Sequence, residues 1–447
     1  MCDDASVTRE RIIRSYMTLA GMYTLAASLI WSVNTLFLLD TGLGIGEVFI
    51  ANALFSAGMV LFEIPTGVVA DTLGRRVSYL LSVAILGLTT VLYLVAAQAE
   101  ASLAVFGGIS VFMGLGFTFY SGALEAWLVD GLKAVDGDHD LDHVFARGQQ
   151  VSGASMFVGT IAGGFLGQVD LVVPFGVRAG LLVIVFVVAS RSMHEVGFIP
   201  TTLKWNEIPA QMRHQAAVGL SAGWGHGGLR LLMIASGIRG VFFGWAFYAS
   251  QPYFLELLER DAVWVVGLVT AGVSLSTIVG NQIVEVVSRR CGRRSTLLIA
   301  SSAVSTAAAV TIGLTSTFAV AVAALFVVAT CMGVISPVRQ AYLHQVTESE
   351  HRATVISFDA MVASMGGVGG QVGLGALSDN RSFSAGYVVG GGVTVVAIPI
   401  LVLLRRWGGP GDLLSAPDDA GSDQTCPAGL PRVTGVEALP VPLLTDP

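Results

Sequence analysis

Gly67-Val-Val-Ala-Asp71-Thr-Leu-Gly74-Arg75-Arg76 stands between two long apolar runs. Membrane-spanning segments tolerate charge at their ends, so an acid and two arginines at this junction read as a hairpin tip on one membrane face. The tip must reverse the chain within a few residues. Gly74 permits the turn, Gly67 lets its helix approach a neighbour closely, and Arg75 and Arg76 lie at the headgroup level.

The composition agrees with this reading. Of 447 residues, 53% are hydrophobic and only 12% are charged, and the mean hydropathy is +0.73. Soluble domains carry about 25% charged residues, a deficit that a soluble core of this length does not explain. The formal charge of −7 gives no basic excess, so no nucleic-acid partner is expected. Cys2, Cys291, Cys331 and Cys426 have no paired spacing, which argues against a disulfide framework or a zinc site. Met1 to Ser15 is polar and is not expected to act as a signal peptide.

A helix needs about 20 apolar residues to cross roughly 30 Å of hydrocarbon. Twelve such windows begin near Met17, Val48, Val77, Ser102, Gly148, Leu171, Leu231, Val263, Ser295, Thr317, Thr354 and Ala385. With the N-terminus in the cytoplasm, nineteen of the 24 Lys and Arg fall on the cytoplasmic side. Only Arg178, Arg260 and Arg381 fall outside, and Arg239 and Arg339 lie within spans. That bias places both termini inside, in a multi-pass cell-membrane protein.

The expected organisation is a cytoplasmic N-terminus over 1–16, a six-helix bundle over 17–190 and a cytoplasmic linker over 191–229. A second six-helix bundle follows over 230–405, then a disordered cytoplasmic tail over 406–447, which holds several acids and half of the fourteen prolines, if Pro410 onward is counted. The halves echo each other. Gly74-Arg75-Arg76 recurs as Gly292-Arg293-Arg294, Ala126-Trp127-Leu128 as Ala341-Tyr342-Leu343, and Arg147 and Gly164 map onto Arg352 and Gly369. Parallel repeats with a ligand site between them are a common transporter build.

The pattern Gly-x-x-x-Asp-x-x-Gly-Arg-Arg between the second and third spans resembles the signature loop of the major facilitator superfamily, and the resemblance covers about Met17 to Arg406. It implies an all-α integral membrane fold of twelve transmembrane helices in two pseudo-symmetric six-helix bundles. It also implies that Asp71 faces the start of the eleventh helix near Arg352, and that Arg75 pairs with an acid at the inner end of the fourth, Asp130 being best placed. Such contacts would form a latch that closes the cytoplasmic side. The second copy departs from the pattern, with Glu285 and Arg289 where the glycine and aspartate belong, which weakens any latch role there.

Gly159, Gly163, Gly164 and Gly167 form a small-residue stripe, as do Gly366, Gly367, Gly369, Gly370 and Gly373. The first partly resembles the family's antiporter motif, with Thr160 in place of its proline and Ser155 in place of an earlier glycine. Ordinary helix packing is the favoured reading of the stripes, and the partial motif lends export only weak support.

An ionisable group inside a span costs several kcal/mol unless paired or hydrated, which makes each one a functional candidate. Glu125, Asp359 and Glu63, in that order, are candidates for proton coupling, although a structural salt bridge would also account for Glu125 and Arg339, and a structural place near the Pro65 kink for Glu63. By the same resemblance, helices one, four, seven and ten line the cavity, which nominates Asn34, Glu125, Arg239 and Arg339. Trp245, Tyr248 and Gln251 farther along helix seven suit a bulky amphipathic ligand.

Asp136-Gly-Asp138-His139-Asp140-Leu-Asp142-His143 lacks the glycine and glutamate of a calcium loop, since Leu141 and Arg147 stand at those places. His226 and His344 read as ordinary polar residues. The sequence has no Gly-Lys-Ser/Thr phosphate loop, so neither ATP nor another cofactor is expected, and no metal. The leading expectation is a monomeric, proton-coupled exporter of drugs or amphipathic metabolites, with multidrug efflux and antibiotic resistance as its setting. Proton symport of a small metabolite is the alternative. A lipid-modifying membrane enzyme would need catalytic residues such as Asp138, His139 or His143 in a known spacing, which they lack, and a non-transporting sensor would dispense with the latch charges.

Overall fold

A computed structural model describes residues 8–136, 141–198, 210, 213, 217, 220–221, 223–288, 291–348 and 352–414. Every named element among them is helical. The first bundle comprises α1 (Arg9–Ser28), α2 (Asn34–Asp40), α3 (Ile45–Leu73), α4 (Arg75–Gln98), α5 (Leu103–Tyr120), α6 (Ala123–Asp136), α7 (Leu141–Val169) and α8 (Val172–Ser192). The second comprises α9 (Gly227–Leu258), α10 (Val263–Ser288), α11 (Arg294–Leu314), α12 (Phe318–Val346), α13 (Arg352–Asn380), α14 (Phe383–Thr394) and α15 (Ala397–Trp407). Pairs α1/α2, α5/α6 and α14/α15 are single passes broken by a turn, which gives six passes per bundle. Ten helical stretches are long and apolar enough to cross a membrane; 9–40 and 141–169 fall below that measure and complete the twelve.

Large apolar side chains cover the outside of both bundles. Leu88, Val95, Val183 and Leu275 are each more than half exposed, a surface that suits lipid and that water would penalise. Inside, the first bundle packs Leu19, Tyr23, Phe37, Tyr79, Phe106 and Phe175. The second holds two cores, one around Phe242, Trp245 and Tyr387 and one around Met233, Leu298, Ile335 and Tyr342.

The passes start close to the expected windows, but α1 begins eight residues before Met17 and α7 seven before Gly148. Polar helical ends that protrude from the apolar zone carry no hydropathy signal. Arg178, counted on the outer side, lies inside α8 and is 4% exposed. Within the expected linker, residues 223–225 are helical. The chain also stays packed past Arg406. Asp412 is 1% exposed, accepts from the backbone N of Ser295 at 2.7 Å and from its Oγ at 2.9 Å, while Arg294 donates to the carbonyls of Gly411 and Leu413. Asp138, His139, Asp140, Arg289, Arg290 and the tail from 415 onward lie outside the described residues.

Candidate functional site

The signature loop is built around one backbone turn. Gly74 has φ +109° between α3 and α4, a conformation that side chains resist. A Cβ there would also lie 2.9 Å from Glu195 Oε2. Glu195 itself caps α4, accepting from the backbone N of Arg75 at 2.9 Å and of Arg76 at 3.1 Å, so it meets orphan donors at a helix start. Arg75 reaches Asp71 at 2.5 Å and Asp130 at 3.7 Å. Arg76 donates to the Ser190 carbonyl at 2.7 Å. Gly67 does not serve close packing: it is exposed and nothing lies within 4 Å of where a Cβ would stand. On α3 the close approach falls at Gly58, whose Cβ would sit 2.6 Å from the Val111 carbonyl of α5.

Glu195 follows the sixth pass and caps the third. Asp412 follows the twelfth pass and caps the ninth, so the two carboxylates are pseudo-equivalent. Sequence reasoning missed both. The signal was the repeat spacing, since Glu195 to Asp412 matches Gly74 to Gly292 within one residue.

At the far end from Arg75, the two bundles meet. The first pass unwinds over 29–33, and Gln251 of α9 occupies the gap. It donates to the Trp31 carbonyl at 2.9 Å and accepts from the Thr35 amide at 2.7 Å, satisfying backbone that no helix serves. Gln168 of α7 donates to the Asp261 carbonyl at 3.2 Å. Gly164 faces Gly267 of α10 so closely that a Cβ would lie 2.7 Å from its Cα. Gln371 of α13 donates to Ser56 Oγ at 3.4 Å and to the Gly244 carbonyl at 3.1 Å.

Gln251 therefore belongs to this seam and not to a cavity wall. Trp245 is fully buried, 6.0 Å from Phe49 of α3 and 4.9 Å from Tyr387 of α14 between ring centroids; it fills the core instead of presenting a ring to ligand. Tyr248 is half-buried beside them. Asn34 donates to Asn52 Oδ1 at 3.0 Å, inside the first bundle. The glycines divide by role: Gly159 and Gly163 pack on α1, Gly164 crosses the seam, and Gly366 and Gly370 pack on α9.

Two charged clusters remain. In the second bundle Arg339 of α12 pairs with Asp359 of α13 and donates to Ser236 Oγ of α9 at 2.7 Å. Asp359 is 2% exposed and its Oδ1 has no protein partner. Arg239 lies with its guanidinium 5.7 Å from the Phe243 ring centroid, its Nε without a partner. The structure thus joins Asp359 to Arg339. Glu125 is elsewhere.

In the first bundle the fourth pass breaks at Ser121 and Gly122, the latter at φ +73°. This turn exposes Glu125 to a cavity of about 230 Å³ walled by Tyr16, Thr24, Tyr120, Gln149 and Ser152. Ser121 donates to Glu63 Oε1 at 3.4 Å, and Glu63 is itself exposed on α3.

The Major Facilitator Superfamily model matches residues 262–435. No curated protein matches the chain. Among solved structures, the nucleoside transporter NupG aligns at 11% identity with a TM-score of 0.72, covering 89% of this chain and 100% of its own. A peptide transporter POT in complex with sulfate aligns at 12% identity and 0.72, covering 90% and 95%. A POT family transporter in complex with 5-aminolevulinic acid aligns at 11% and 0.68, covering 88% and 95%. The sequence repeat, the twelve passes and these alignments converge on one architecture: the chain has the major facilitator fold, two six-helix bundles facing each other across a seam.

Proposed function

We propose that this chain is a secondary active transporter that works by alternating access, exporting drugs or amphipathic metabolites in exchange for protons. One observation carries the reading. Among the described residues, the cross-bundle hydrogen bonds of Thr35, Gln168, Gln251 and Gln371 lie in the half of the molecule away from Arg75. With the Arg75 end in the cytoplasm, as the basic bias requires, this is a conformation closed to the outside. Asp71, Arg75 and Asp130, whose contacts here stay within the first bundle, then lie on the face that closes in the opposite state, and rocking of one bundle against the other opens one face as it closes the other.

Asp359 is the acid that the geometry favours for coupling. A proton on its carboxylate removes the charge that holds Arg339 and frees a guanidinium toward Ser236, linking proton binding to a rearrangement between α9, α12 and α13. Glu63 and Glu125 lack such a partner among the described residues.

The test is accumulation of a fluorescent amphipathic panel in expressing cells with and without an uncoupler. Lower accumulation that the uncoupler reverses, and that Asp359→Asn abolishes, supports the reading. Extrusion indifferent to the uncoupler refutes it. The solved structures of the same fold are nucleoside and peptide transporters, and such small polar cargoes keep a second reading in view, proton symport of a small metabolite, in which the uncoupler lowers accumulation instead.

A further inference from the structure

We infer that the cavity between α1, α5, α6 and α7 is a subsite for a protonated amine of the transported molecule; this rests on the transporter reading and names the chemistry of one part of its ligand. Glu125 is the one charged residue in the wall. Among the described residues it enters no ion pair, so the carboxylate is available to a ligand. Tyr16 and Tyr120 share the wall with it.

The walls are held in place. Tyr120 stacks on Tyr23 with centroids 3.7 Å apart and planes 7° from parallel. Tyr16 packs against Gly148, where a Cβ would lie 2.6 Å from its hydroxyl. Two fixed phenol side chains beside a carboxylate, with no cation in the wall, make a region of negative potential that attracts an ammonium. Thr24, Gln149 and Ser152 add oxygens that accept from N–H groups. A carboxylate or phosphate ligand meets no positive charge in this wall.

Size narrows the assignment. Pockets that enclose a drug-sized ligand run to roughly 300–1,000 Å³, and this one holds about 230 Å³. It therefore seats an amine head with a short apolar neighbour, the remainder of the ligand lying outside the subsite.

The experiment is equilibrium binding to the purified full chain, without any gradient, so its result is independent of whether transport is proton-coupled. The probes are phenethylammonium and its anionic counterpart phenylacetate. The wild-type chain binds the first and not the second. Glu125→Gln weakens phenethylammonium by about tenfold or more, the scale of one charged hydrogen bond, and Glu125→Asp restores part of the loss. Gln149→Glu, which adds a second carboxylate to the wall, tightens binding. Equal binding of both probes, no binding of phenethylammonium, or affinity unchanged in both Glu125→Gln and Gln149→Glu would overturn the assignment.

Discussion

Gln251 donates its side-chain amide to the carbonyl of Trp31 at 2.9 Å, and by accepting from the Thr35 amide at 2.7 Å it ties the gap in the first pass to the start of α2. The broken helix of one bundle is completed by a side chain of the other. Replacing Gln251 by Leu removes both bonds and leaves two backbone groups unserved in a dry seam, at a cost of about 2–3 kcal/mol to the closed state. The expected outcome is faster labelling of a cysteine placed at Val263, now 5% exposed, by an impermeant thiol reagent added outside. Unchanged labelling would show that the seam does not depend on this residue.

The Arg339 and Asp359 pair is buried, so breaking it should cost more than deleting it. Asp359→Ala strands a guanidinium, and Arg339→Ala strands a carboxylate, each at roughly 3–5 kcal/mol. The double replacement by Leu removes both charges and should unfold at a higher temperature than either single variant. Thermal unfolding of the purified protein reads the order directly.

Glu195 and Asp412 cap equivalent helices in different surroundings. Loss of a helix cap costs about 0.5–2 kcal/mol. Asp412 is buried at 1% and serves two donors on Ser295, whereas Glu195 is exposed, so Asp412→Ala should fall at the upper end and Glu195→Ala at the lower. The sites are far apart in the chain and share no partner, so their effects should add in denaturant or thermal melts.

Gly164→Val places two methyl groups against the Gly267 backbone, where even a Cβ lies 2.7 Å away. Helix sliding at that contact needs the missing side chain. The variant should insert normally and lose transport, with the outer face held open to the same thiol reagent. Transport at the wild-type level would remove Gly164 from the seam mechanism.

Periodicity and charge placement made the twelve passes, the repeat and the Arg75 turn legible, because these are set by local polarity and backbone sterics. What joins distant segments was not. Arg339 and Asp359 were each singled out as buried charges, but only packing of α12 on α13 showed them to be partners. Trp245 and Gln251 sit on the expected helix, yet a helix has several faces, and rotation about its axis decides between core, seam and cavity. Gly67 drew a packing role from its motif while the structure leaves it open. Arg178 was counted on the outer side by its charge alone, although its window opens near Leu171 and the helix buries it. Glu195 and Asp412 act across about 120 residues, a range at which no local pattern speaks.

The buried carboxylate of Asp412 also sets a practical limit for protein engineering. A reporter or purification handle joined directly after Trp407 would cut away the cap on α11 together with the Leu413 carbonyl that Arg294 holds. Fusions placed after Leu414 keep both, so two junctions only seven residues apart should differ sharply in expression yield.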